Sequence, residues 1–137
     1  MKIEGCCHCG LVTYEAEVDP ESATICHCTD CQTLSGTAFR TSVVAQPRNF
    51  RLLSGELKTY VKVGDSGRRR EQTFCPTCGA PIYSASPDDR TSGYNLRIGT
   101  IRQRDQLAPR AQIWRRSAQP WIAGLDKIPG AETEPGP

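Results

Sequence analysis

Cys7-His8-Cys9-Gly10-Leu11-Val12-Thr13-Tyr14-Glu15-Ala16-Glu17-Val18 carries two signals side by side. In its second half Val12, Tyr14, Ala16 and Val18 alternate with Thr13, Glu15 and Glu17, the period of a strand with one buried face. Its first half is a pair of cysteines closed by a glycine, a pattern that suits a metal better than a core. Short apolar runs of strand character recur at 38–45, 50–53, 57–63, 70–74, 80–84, 94–99 and 111–114. The 12 glycines and 10 prolines punctuate them. No helical period lasts three turns; 30–34 and 102–107 read as short helices. There is no internal repeat. The expected architecture is a mostly β single domain over 1–129 with short helical turns, followed by a frayed tail over 130–137 that lacks large apolar residues.

With 137 residues the chain suits one domain. Its 8 Leu, 8 Ile, 6 Val and 3 Phe make a thin core, close to the composition of disordered chains. The charge is too balanced for disorder, at 17 basic against 15 acidic residues. A staple is expected instead, and the 8 cysteines are the obvious supply. No apolar run approaches the ~20 residues of a membrane-spanning helix. Met1 to Cys7 has no apolar signal region, so a cytoplasmic location is expected. A net charge of +2 disfavours strong nucleic-acid binding. Arginine dominates the bases, 13 to 4, and Arg68-Arg69-Arg70 reads as a solvated strand face or as a carboxylate-binding run.

The cysteines fall into three groups: Cys6, Cys7 and Cys9; Cys26, Cys28 and Cys31; Cys75 and Cys78. Disulfides are disfavoured, because cytosolic thiols stay reduced. Close spacing converges sulfurs on a point, and zinc takes four thiolates at about 2.3 Å in closed structural sites. Cys75-Pro76-Thr77-Cys78-Gly79 is a knuckle half-site, and Cys7-His8-Cys9-Gly10 ends the same way. Joining Cys7, Cys9, Cys75 and Cys78 gives a four-sulfur structural zinc. Cys26, Cys28 and Cys31 are left with an open fourth position, the mark of a catalytic zinc. Closure by Cys6, His27 or another side chain is the alternative.

The residues Gly5-x-Cys7-x-Cys9-Gly10-x-Val12-x-Tyr14, Cys26-His27-Cys28-x-x-Cys31, Gly36-x-x-Phe39 and Phe74-Cys75-x-x-Cys78-Gly79 resemble the glutathione-dependent formaldehyde-activating enzymes, a family that includes centromere protein V. Trp114, Pro120-Trp121 and Ile128-Pro129 resemble its C-terminal pattern. The resemblance implies a zinc-stapled β-tent fold. It implies a structural zinc on Cys7, Cys9, Cys75 and Cys78 and a labile active-site zinc on Cys26, Cys28 and Cys31, so two Zn²⁺ per chain. Cys6 stands where many relatives carry a small residue and is read as a buried spare thiol.

The resemblance implies a carbon–sulfur lyase type of enzyme acting on a thiol–aldehyde adduct, with glutathione and formaldehyde giving S-hydroxymethylglutathione. Arg40, Arg48, Arg97 or the Arg68–Arg70 run could hold the thiol's carboxylates, and Asp30 and His27 could carry protons. No catalytic side chain is assigned beyond the zinc cysteines. The expected partner is a small thiol such as glutathione, with no membrane, and a homo-oligomer is left open. The alternative is a zinc-stapled β module that binds protein or nucleic acid without catalysis. Only 7% aromatic residues and the near-neutral charge weigh against a nucleic-acid platform.

Overall fold

The computed structural model describes residues 1–136. Ten strands form two sheets: β1 (Lys2–Cys6), β2 (Thr13–Glu17), β3 (Asp19–Cys26), β4 (Arg40–Ala45), β5 (Phe50–Ser54), β6 (Lys58–Val63), β7 (Arg69–Phe74), β8 (Pro81–Ala85), β9 (Tyr94–Arg97) and β10 (Ala111–Ile113). The smaller sheet has the order β1-β2-β5, the larger β10-β3-β4-β9-β8-β7-β6. Only β10 runs parallel to its neighbour. One α-helix, α1 (Thr29–Ser35), and short 3-10 turns complete a mostly β single domain. Among the described residues no helix is long and apolar enough to cross a membrane. Residues 130–136 carry neither strand nor helix, and Pro137, part of the expected tail, lies outside the described residues.

The core lies between the sheets. Val12, Tyr14, Ala16 and Val18 are all buried, as their alternation requires, and meet Val43, Ala45, Ile82 and Leu96 of the larger sheet. Phe50 stacks on Tyr14 and meets the edges of Tyr83 and Tyr94. Gly5 faces Tyr14 across the β1–β2 pair. A Cβ there would fall 1.9 Å from the Tyr14 ring, whose hydroxyl is anchored 2.7 Å from Thr100 Oγ1. The ring cannot retreat, so Gly5→Ala is expected to cost at least about 1–3 kcal/mol through overpacking. Urea denaturation measures this, and an unchanged midpoint would show that the ring moves freely.

Several elements depart from the sequence pattern. β1 has one large apolar residue, too few to show a period. β3 opens with Pro20, which a register break between Asp19 and Thr24 accommodates, since a proline cannot donate to a ladder. The expected strand 94–99 stops at Arg97, and the 3-10 turn Ile98–Thr100 helps bury Ile98 and Ile101. Cys6 is exposed, not buried, because the period of two in β1 turns Ile3 and Gly5 inward and Cys6 outward. Val61 and Val63 alternate as a buried face would, yet are 44% and 65% exposed, because β6 is the outer strand of its sheet.

Candidate metal centres and their cleft

Two turns of the same construction face each other. After β1, Cys7 N–H donates to Val12 O and Gly10 N–H to Cys7 O. After β7, Cys75 N–H donates to Ala80 O and Gly79 N–H to Cys75 O. Gly10 and Gly79 both have positive φ, 86° and 78°, which the tight turns demand and which costs glycine no steric clash. The sulfurs of Cys7, Cys9, Cys75 and Cys78 all lie within 4.8 Å of one another. Cys7 and Cys9 are 3.6 Å apart at sulfur, Cys9 and Cys75 3.8 Å. Val12 N–H donates to Cys7 Sγ at 3.2 Å. The backbone N–H groups of Ala80 and Cys9 hold the Cys78 thiol down to about 6. Against the Leu11 N–H, desolvation and the other three sulfurs push Cys9 up to about 11. Crowded sulfurs cannot all ionise unless a cation joins them.

The second cluster is built where β3 ends and α1 begins. Cys26 closes β3, Cys28 is the N-cap of α1, and Cys31 lies in its first turn. Cys28 Sγ accepts the Cys31 N–H at 3.2 Å, so the helix start itself folds two of the sulfurs together. The three sulfurs lie within 4.8 Å of one another. Both clusters could therefore hold metal ions. Cys6 belongs to neither; its thiol donates to Cys7 O. His27 belongs to neither cluster and is buried beside Phe39, with Nε2 2.8 Å from Gln112 Oε1.

The three sulfurs line a cleft of about 240 Å³ on the face of the larger sheet. Strand register explains its other walls. Thr24, Ser42 and Arg97 lie side by side across β3, β4 and β9. Asn95, Ser84, Gln72 and Tyr60 continue across β9, β8, β7 and β6. All but Tyr60 line the cleft, together with Lys62, Arg70, Asp30 and Trp114. Cys26 itself sits between Arg40 and Ile113.

Positive charge dominates this face. Arg97 Nη1 donates to Ser42 Oγ at 2.7 Å, and its Nη2 to Gln72 Oε1 at 3.0 Å. Arg40 Nη1 donates to the same Gln72 oxygen at 3.2 Å. Arg40 and Arg97 are only 6% and 9% exposed, and neither forms an ion pair among the described residues. Burial, and then Arg40, pull the Arg97 guanidinium down to about 9. Arg70 donates to Ser84 Oγ at 3.1 Å. Asp30 is tied to Lys62 at 2.7 Å. Buried cations without carboxylate partners are costly, so this arrangement favours an anion nearby, whether thiolate or ligand.

The sequence candidates thus separate. Arg97, Arg70 and Asp30 line the cleft, and Arg40 stands behind Gln72. Arg48 lies in a different hollow, with Lys2, Glu17 and Phe50. Arg69 is paired with Asp88 at 2.6 Å. Sequence reading missed Gln72, Lys62, Ser42, Ser84 and Asn95. Alternation of Arg70 with Gln72 along β7 is the signal that could have found Gln72. It also missed Gln32, whose amide donates to His27 O and Ser117 O and so ties α1 to the C-terminal segment.

Fold and site define a two-sheet β protein with two cysteine clusters that could hold metals, one of them lining a cationic cleft. The chain belongs to the family of glutathione-dependent formaldehyde-activating enzymes, whose family model matches residues 2–117. Membership points to a function related to glutathione and formaldehyde. A crystal structure of a Rhodobacter sphaeroides protein is similar in fold, with a TM-score of 0.60 and 24% identity, covering 82% of this chain and 99% of that one. The search of curated proteins gives no match.

Proposed function

We propose that the chain is a cytoplasmic zinc enzyme that makes or breaks the carbon–sulfur bond of a thiol–aldehyde adduct, with glutathione and formaldehyde as the leading pair. The observation that carries this reading is a three-sulfur cluster lining a cleft with Arg70, Arg97 and Lys62. Sulfur spacing supports zinc: a tetrahedral site with Zn–S of about 2.3 Å has S···S edges of about 3.8 Å, against the 3.6 and 3.8 Å in the first cluster. On this reading Cys7, Cys9, Cys75 and Cys78 staple a β-tent fold over 1–129, and Cys26, Cys28 and Cys31 hold the labile ion. Zinc there would lower the pKa of a thiol at its fourth position, so that a thiolate is present at neutral pH.

The chain's own groups bind and orient. Arg70 is a partly exposed cation able to receive a glutathione carboxylate, Lys62 is engaged by Asp30, and Arg97 between Ser42 and Gln72 holds the deeper positive charge. In the forward reaction the thiol sulfur bonds to the aldehyde carbon, and the proton lost from sulfur ends on the aldehyde oxygen. The reverse breaks the same bond and returns aldehyde and thiol. Asp30 is the carboxylate among the lining residues, and fixed by Lys62 it is the group assigned to hold that proton in transit. His27, buried against Phe39, is not assigned this role.

NMR exchange between free glutathione and its formaldehyde adduct tests the reading. The zinc-loaded protein should raise the exchange rate well above that of buffer, and an unchanged rate overturns the proposal. Arg70→Gln should weaken glutathione binding about tenfold, the worth of one charge-assisted hydrogen bond. Calorimetric titration checks this, and unchanged affinity would remove Arg70 from the carboxylate site.

A further inference from the structure

Trp114 is the one non-glycine residue with positive φ among those described, at φ 59° and ψ 36°. A bulky side chain in the left-handed region is strained, and such strain persists where the surroundings hold it. What holds it is visible. The preceding residue, Ile113, ends β10, pairs with Cys26, and accepts the His27 N–H at 3.1 Å. The following turn is tied through Ser117 O to Gln32 of α1. Trp114 is nevertheless 49% exposed, so core packing does not explain the strained backbone. Trp114 lines the cysteine cleft, and the Arg116 guanidinium lies 4.8 Å from the indole centroid, over one face. About half of the residue's surface stays accessible, and the residue is part of the cleft wall.

We infer that Trp114 is a substrate-contacting specificity residue: it stacks on the planar peptide arm of an anionic thiol whose sulfur reaches the Cys26, Cys28 and Cys31 cluster. The inference rests on the proposed thiol site and extends it. A peptide-like thiol, with flat amide groups between its carboxylates and its sulfur, uses the indole face and the cationic wall together. A bare thiol such as cysteine reaches the sulfur cluster alone and ignores the ring.

Calorimetric titration of the zinc-loaded protein with glutathione and with cysteine, on the parent, Trp114→Gly and Trp114→Phe, separates the possibilities. Glycine accepts the left-handed conformation, so Trp114→Gly should keep the parent melting temperature or exceed it. It should bind glutathione about tenfold more weakly, the worth of a lost aromatic contact. Its affinity for cysteine should stay unchanged, and Trp114→Phe should hold glutathione within about threefold of the parent. Equal glutathione affinity in the parent and Trp114→Gly overturns the inference and leaves the thiol site standing. A parallel loss of cysteine affinity, or a collapsed melting temperature in both variants, also overturns it, since the residue would then be structural. No glutathione binding by the parent overturns the thiol site itself and this inference with it.

Discussion

Cys75→Ser is expected to abolish cooperative folding. The four-sulfur cluster joins the β1–β2 turn to the β7–β8 turn, and Cys75 is fully buried within it. A structural zinc contributes roughly 10–16 kcal/mol to small metal-dependent domains, whereas a domain of this size has a net stability of only about 5–15 kcal/mol. Leu, Ile, Val and Phe are scarce here, so on the proposed reading the apolar core does not replace that contribution. Serine keeps the size of the side chain but offers a poor ligand and leaves a hydroxyl buried among sulfurs. Circular dichroism and thermal melting should show loss of the transition, and a strong chelator added to the parent should do the same. A variant that melts like the parent would mean that Cys75 is not a structural ligand.

Cys28→Ser is expected to leave the fold standing and to remove the metal that the second cluster is proposed to hold. Cys28 caps α1 by accepting the Cys31 N–H, and serine is a preferred N-cap residue, so the helix start survives the change. The cluster closes no long loop, since its three cysteines lie within one turn and its approach. Two thiolates hold zinc far less firmly than three, so the zinc-to-protein ratio should fall by about one and the response to glutathione should vanish. Metal analysis, melting and glutathione titration, run beside Cys75→Ser, decide the matter. Should Cys28→Ser collapse the fold as badly as Cys75→Ser, both clusters are structural and a purely stapled module becomes the better account.

Cysteine spacing and strand period were legible in the sequence because both are local. Cys7, Cys9, Cys75 and Cys78 end in like Cys-Gly turns, and the structure brings their sulfurs together across the middle of the chain. Val12 to Val18 alternates and is buried accordingly. The cleft wall was less legible, because Gln72 meets Arg40 and Arg97 only through the register of four strands, and no local pattern encodes register. Period also does not say whether anything covers a face. Val61 and Val63 look like core on β6, but that strand is the outer member of its sheet and contributes nothing to the buried cluster. The left-handed backbone of Trp114 had no sequence signal, since bulky residues adopt it only when tertiary contacts impose it.

The separation of Cys9 from Cys75, 66 positions along the chain for sulfurs 3.8 Å apart, also sets an order of events during synthesis. A ribosome adding about 5–20 residues per second takes several seconds to deliver Cys75 after Cys9 has been made. Throughout that interval Cys7 and Cys9 are half a site, while Cys26, Cys28 and Cys31 are already complete as a group. The cluster proposed to secure the fold is thus the last to assemble, and the cluster that lines the cleft is the first able to meet a metal ion.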